Sequence, residues 1–531
     1  MNRINIIGAG LAGLSAALTI AKAGKGCRLI SPMSSERAQS VMAEGGINAA
    51  LNTMGEDDTP QEHYADTMKG GVYLADPNAV YRLCTEAPAT VSELCNLGAA
   101  LRMQKNGPVL RNFGGQKKKR TAYAKSSTGK ILMTALTDAV RRYEVQGLIE
   151  RYTHHRMEEL CISGETCTGV KVLDLYSGDR LLCSGPVILA CGGMNSLFPG
   201  LTTGTVVNTG DAAAAAFCQG VALANLEFIQ YHPTTAAIAG KRCLISEAAR
   251  GEGGRLYVLK NAKPWYFMEE KYPEYGNLMP RDVVSREMEL VRHLPECSDT
   301  VYLDMTELQQ EVWKTKLTDL REECMELLGK DPSTEALEVS PGIHYFMGGI
   351  YVDEQHRCSK RSLYAAGECA CQYHGANRLG GNSMLGAVYG GKRAAMTAME
   401  ELTDARENAV DIISRGSGPC FVEPTVQEEA AVILRNALGI FRTGEQLTEA
   451  LDKLKELTNK EQCTYQKKRL ILGQAVLMSA LNRCESRGAH TRTDFPDKND
   501  SVFRKTSKIV FDGEKIAVSL EEIPVRRGEN A

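Results

Sequence analysis

The chain opens on a short apolar run, Arg3 to Ile7, that leads directly into Gly8-Ala9-Gly10-Leu11-Ala12-Gly13 and then into a helical pattern reaching about Ala23. Arg28 to Ser31 reads as a second strand, so the chain begins as a βαβ unit. In such a unit the first glycine allows a tight turn and the second lets backbone approach a pyrophosphate. The third lets helix pack closely on strand, and the helix N-terminus faces the anion. Placed after an N-terminal strand, the motif is a dinucleotide-binding signature. The acidic residue that reads an NAD ribose should close the second strand. Ser31 holds that place, which argues against NAD.

Two further strands end in glycine, at ILACGG (Ile188 to Gly193) and YAAGEC (Tyr364 to Cys369). A Gly-Glu strand end can set the Glu368 carboxylate beside a ribitol hydroxyl. Several backbone approaches to one long ligand suit FAD, which needs contacts at its pyrophosphate, ribitol and ring. Glycine usage agrees: 50 residues in 531 exceed the usual share of about 7%.

The length predicts two to four domains. Residues 75 to 145 read as helices around a glycine-rich basic loop, Asn112 to Thr121. Alternating runs with glycine turns between Leu148 and Gly185 predict a small antiparallel sheet. Asp211 to Ala224 reads as an alanine-rich helix. From Gln230 to Pro341 the pattern turns irregular and then helical, as an inserted domain would. Leu447, Leu451 and Leu454 fall at helical spacing and mark the packing face of a helical domain. The charged run from Arg487 to Ala531 is expected to wrap the surface.

Composition removes several classes. Lys plus Arg is 62 against 65 for Asp plus Glu, and aromatics are 6%, so neither a basic surface nor a stacking platform for nucleic acid is indicated. The 17 cysteines include no C-x-x-C pair, which weakens zinc and ferredoxin readings; no metal site is expected, and the thiols read as reduced, in a cytoplasmic setting. The N-terminus has no signal-peptide pattern. The longest smooth apolar stretch, Ala212 to Ala224, is shorter than the roughly 20 residues of a spanning helix. Direct membrane insertion is not expected, and any link to the inner face of a membrane would run through partners.

The motifs AEGGI (Ala43 to Ile47), NFGG (Asn112 to Gly115), NTGD (Asn208 to Asp211) and YHPT (Tyr231 to Thr234) follow in order. After them come EAARGEGG (Glu247 to Gly254), PRDVVSR (Pro280 to Arg286), HYFMGGI (His344 to Ile350), HGANRLGGNS (His374 to Ser383) and ESRGAHTRTDFP (Glu485 to Pro496). Across nearly its whole length the chain resembles the flavoprotein subunits of succinate dehydrogenase and fumarate reductase, and their relative L-aspartate oxidase. The resemblance implies an α/β fold with a discontinuous Rossmann-like FAD-binding domain (1–229 and 342–403). It also implies an inserted α+β capping domain (230–341), a C-terminal helical domain (404–490) and a tail (491–531).

The resemblance also implies FAD contacts at Gly8, Ala9, Gly10, Leu11, Ala12, Gly13, Ser31, Ser40, Gly45, Gly46, Asp211, Glu368, Asn382, Ser383 and Met384. It places a C4 dicarboxylate against Phe113, His232, Ser246, Glu247, His344 and Arg378, with Arg281 as proton donor. Glu247 and Arg250 are candidate relay members, and His374 is expected behind the substrate contacts. An iron–sulfur subunit or another electron donor is the implied partner. The chemistry agrees: a dianion in a closed site needs fixed positive charge, and an arginine fork can grip a carboxylate through two hydrogen bonds. His63, His154, His155, His293 and His356 read as ordinary core or surface residues, and Lys117 to Arg120 as a solvated basic loop.

Two departures from the family pattern bear on function. Respiratory members carry a histidine that bonds FAD covalently; here, in AQSVMAEGG, Gln39 stands in its place and cannot make that bond. Non-covalent FAD is therefore expected, which points toward fumarate reduction or toward an oxidase. Aspartate oxidases carry a glutamate before the Gly-Gly of the NFGG loop, able to meet a substrate ammonium. This chain has Phe113, whose apolar ring would leave an ammonium unpaired. The first reading is a fumarate reductase or succinate dehydrogenase-type flavoprotein working mainly toward reduction, and the second is L-aspartate oxidase.

Overall fold

Arg3–Ile7 forms the middle strand of a five-stranded parallel sheet in the computed structural model, which describes residues 2–124, 127–402 and 409–527. The strand order is Leu363–Ala365, Val187–Leu189, Arg3–Ile7, Gly26–Ser31, Ile149–Thr153. Asn5 pairs with Val187 on one side and with Arg28 on the other. Helices Leu11–Lys22, Thr128–Val145 and Asn382–Glu400 cover the sheet, so its strands are buried and apolar, as a parallel sheet requires. The opening turn admits only glycine at two points. A Cβ on Gly8, where φ is +116°, would lie 2.1 Å from the Ala190 carbonyl oxygen, and one on Gly13 would lie 1.8 Å from that of Gly8.

Ile149–Thr153 was expected in an antiparallel sheet and instead extends the parallel one, pairing with Gly26–Ser31. The remaining strands, His155–Ser163, Thr166–Asp174 and Arg180–Ser184, do run antiparallel, with Val410–Ser414 added at the edge. The helix starting at Asp211 stops at Phe217 rather than at Ala224. Leu223–Ala224 is drawn off to pair with Gly349–Tyr351 and Lys505–Phe511; here strand pairing overrides alanine's helix preference.

The segment between the halves of the parallel-sheet domain builds a six-stranded sheet in the order Lys241–Leu244, Ile229–Ile238, Leu337–Phe346, Cys297–Asp304, Arg255–Lys260, Lys263–Trp265. Its two longest strands, Ile229–Ile238 and Leu337–Phe346, are the chain's way in and way out, and they pair with each other. His232 lies on the first and His344 on the second, so the junction itself carries both.

Helices Glu428–Ala437, Gly444–Lys460 and Thr464–Asn482 form the helical layer, with Leu447, Leu451 and Leu454 buried. The expected boundary at 403/404 lies outside the described residues. The C-terminal run does more than wrap the surface: Lys505–Phe511 and Ile516–Glu522 form a hairpin within a five-stranded sheet. Arg120 is not solvated. It is fully buried against Asp58 (2.8 Å) and Asp66 (2.9 Å), and its loss would strand two carboxylates at a cost of about 3–5 kcal/mol. Among the described residues all 17 cysteines are free thiols, and no helix is long and apolar enough to cross a membrane.

Candidate active site

One continuous cavity of about 860 Å³ runs between the parallel-sheet domain and the inserted sheet. At one end it touches Gly8 to Ala12 and Ser31. Its middle is walled by Ser40, Gly45, Gly46, Glu368, Ser383 and Met384. Its far end is closed by Phe113, His232, Ser246, Glu247, Arg281, His344 and Arg378. The structure therefore gathers residues spread over almost the whole chain onto one wall.

Two expected cofactor residues stand behind that wall. Gly13 packs on the Gly8 carbonyl, as the turn demands. Asn382 is fully buried and spends its amide on Asn48 (2.8 Å), His63 (3.0 Å) and Thr67 (3.0 Å). Asp211 lines the cavity, but its carboxylate is held by Arg469 and Arg156.

The wall suits a flavin dinucleotide. The helix Leu11–Lys22 begins at Gly10 with no side-chain cap; the Leu11 N–H donates to Ser40 Oγ at 3.2 Å, and the Ala12 and Gly13 N–H groups that follow are left for an anion. Asn208 Nδ2 and Arg378 Nε, on the same cavity, are buried donors with no partner among the described residues. Glu368 accepts from the Phe346 N–H at 3.2 Å, and burial pushes its carboxyl up to about 7. Gln39 also lines the cavity, and its Oε1 accepts from the Thr205 N–H at 2.6 Å.

At the closed end, Arg281 donates from Nε (2.9 Å) and Nη2 (2.5 Å) to Glu247 Oε2. Glu247 Oε1 accepts from the Gly114 N–H at 2.9 Å and lies 3.6 Å from Arg250 Nη2. Burial alone would raise the Glu247 carboxyl, but Arg281 and Arg250 outweigh it and hold it below the usual range. Arg250, Arg281 and Arg378 thus bring three positive charges against the single negative one of Glu247. Burial, followed by the Arg281 charge, brings the Arg378 guanidinium down to about 9. Burial and Arg281 also hold both His232 and His344 well below their ordinary value, so both rings are neutral near pH 7.

Sequence reasoning missed the residue that joins the two arginines. Gln230 is fully buried, and its Oε1 accepts from Arg281 Nη1 (3.1 Å) and Arg378 Nη2 (3.0 Å). Its Nε2 donates to Asn377 Oδ1 (2.9 Å) and to the Arg378 carbonyl (2.7 Å). Tyr345 was missed as well: the Arg378 guanidinium sits 4.3 Å above its ring, and its hydroxyl contacts His374 Nε2 at 3.2 Å. That contact links His374 to Arg378 through the Tyr345 ring.

Comparison with known proteins gives matches along nearly the whole chain. An FAD binding domain family matches residues 4–384, and a fumarate reductase flavoprotein C-terminal family matches residues 460–529. The succinate dehydrogenase flavoprotein subunit of Bacillus subtilis is 36% identical, over 95% of this chain and 93% of its own. The fumarate reductase flavoprotein subunit of Mycobacterium tuberculosis is 33% identical, over 94% of this chain and 93% of its own. A mutated E. coli quinol fumarate reductase FrdA chain superposes with a TM-score of 0.86 at 26% identity, covering 100% of this chain and 99% of that one.

Proposed function

The chain belongs to the succinate dehydrogenase and fumarate reductase flavoprotein family of FAD-dependent oxidoreductases, and from that premise we propose that it reduces fumarate or a close C4 dicarboxylate. The observation that carries this reading is the cluster of Arg281 and Arg378, tied together by Gln230 and facing two neutral histidines. With Arg250 beside them, these guanidiniums outnumber the Glu247 carboxylate by two charges, which matches a dianion.

Bound FAD supplies two electrons as a hydride at the flavin N5. The chain's own residues do the rest. Arg378 grips one carboxylate, with its guanidinium held flat against Tyr345. His232, His344 and Ser246 hold the other carboxylate and twist it out of the plane of the double bond. Arg281 lends a proton to the neighbouring alkene carbon. Glu247, an ionised carboxylate that accepts from Arg281 Nε and Nη2 with Arg250 at its other oxygen, takes up a proton from solvent and passes it to the guanidinium, so a neutral arginine need not accumulate. Phe113, almost fully buried on the wall, excludes water and offers no charge to an ammonium, which favours a dicarboxylate over L-aspartate.

The FAD is held without a covalent bond, since Gln39 is engaged with Thr205 and carries no nucleophilic nitrogen. Acid precipitation should release all of the flavin into the supernatant; flavin retained in the pellet would contradict this. Electrons reach the site from an iron–sulfur subunit or another donor, and the chain works as one subunit of a larger assembly, peripheral to any membrane.

Gln230→Leu should lower kcat and raise KM together, each by roughly tenfold or more, because one lost acceptor frees two charged donors. Steady-state reduction of fumarate by a reduced dye measures both constants. A change in only one of them would mean that Gln230 serves one arginine alone.

A further inference from the structure

His232 and His344 face each other with ring centroids 5.1 Å apart, yet their inner nitrogens meet different partners. The Nδ1 of His344 lies 2.8 Å from the Thr203 hydroxyl, which can donate to it in preference to the Ile343 carbonyl, at 3.5 Å. With that bond made, the neutral ring presents Nε2–H to the cavity. The Nδ1 of His232 has only acceptors beside it. One is the Thr234 carbonyl, at 3.2 Å. The other is Thr234 Oγ1, at 3.4 Å, whose own proton goes to the Ile245 carbonyl at 2.8 Å. Nδ1 of His232 must therefore carry the hydrogen, and the neutral ring turns a bare Nε2 lone pair into the cavity. Among the described residues, neither Nε2 has a protein hydrogen bond.

A carboxylate oxygen cannot hydrogen-bond to a lone pair. We infer that a C4 dicarboxylate enters this site together with one proton, shared between His232 Nε2 and a substrate carboxylate. The inference rests on the dicarboxylate reading of the cavity. The balance is simple: neutral His232, the dianion and one proton from solvent give the complex, with no electron moved.

The charged and titratable groups acting on the ring come from each neighbouring element: Arg281 from its helix, Arg250 from the short helix Ala248–Gly251, and His344 from the paired strand, with Glu247 paired to both arginines. Arg378 completes the closed end of the cavity. Burial and these cations keep free His232 neutral, so the proton is absent from the empty site and present in the complex. Affinity is therefore greatest at low pH and falls as pH rises, by about tenfold per unit while the complex stays protonated.

The test is a calorimetric titration of the oxidised FAD-loaded protein with malonate, a dicarboxylate with no CH–CH bond to oxidise, at about pH 8 in buffers of different ionisation heat. Wild type should take up about one proton per malonate. His344→Gln should bind more weakly but keep the uptake, and His232→Gln should lose it. Uptake near zero in wild type, or undiminished in His232→Gln, would overturn the inference. Should His232→Gln fail to hold FAD, the wild-type pH series decides: a flat affinity from about pH 7 to 9 would overturn it. If malonate does not bind at all, the dicarboxylate reading falls first, and that outcome is distinct from binding without proton uptake.

Discussion

Arg281→Lys should lower kcat for fumarate by about 10²–10⁴-fold, the usual worth of a placed general acid, while FAD content and malonate affinity stay near wild type. Lysine keeps the charge but not the geometry. Arginine uses three nitrogens here, two on Glu247 and one on Gln230, and an ammonium at the end of a flexible stem cannot meet both acceptors while facing the substrate. Rapid mixing of reduced enzyme with fumarate isolates this step. A variant that reoxidises within tenfold of the wild-type rate would remove Arg281 from the chemistry. Near-complete loss with FAD retained would also dispose of a non-catalytic electron-transfer role for the chain.

Arg378 should behave differently. Its guanidinium is almost fully buried, has an unpartnered Nε, and lies over Tyr345. Arg378→Gln removes one half of a buried charge pair with the substrate, worth about 2–5 kcal/mol, or roughly 30- to 4,000-fold in KM. Arg378→Lys should recover only part, because a fork is replaced by a point charge. Malonate titrations followed by the flavin spectrum read the affinity directly. An unchanged KM in Arg378→Gln would mean that the carboxylate is held elsewhere.

The sequence made the ends of this account visible and hid its middle. The glycine turn at Gly8 to Gly13 could be read because backbone sterics leave few alternatives there. The histidines and arginines at the closed end of the cavity sit in ordered motifs that survive without any knowledge of contacts. Gln230 carried a signal that went unused: it lies two residues before His232 on one strand, and that spacing puts both on one face. Thr203 carried none, since its link to His344 depends on a loop meeting a strand 141 residues away. The early end of the Asp211 helix, the parallel placement of Ile149–Thr153 and the burial of Arg120 have the same origin. Each is decided by a distant partner, and local pattern does not report it.

The central claim is that the closed end of the cavity reduces a C4 dicarboxylate. The most direct test reduces the purified chain anaerobically and follows the flavin band near about 450 nm on adding fumarate. In parallel, L-aspartate is added to the oxidised form. The account predicts rapid recovery of the band with fumarate and no bleaching by aspartate. Bleaching by aspartate would contradict it, because the cavity would then be oxidising an amine that Phe113 was expected to exclude.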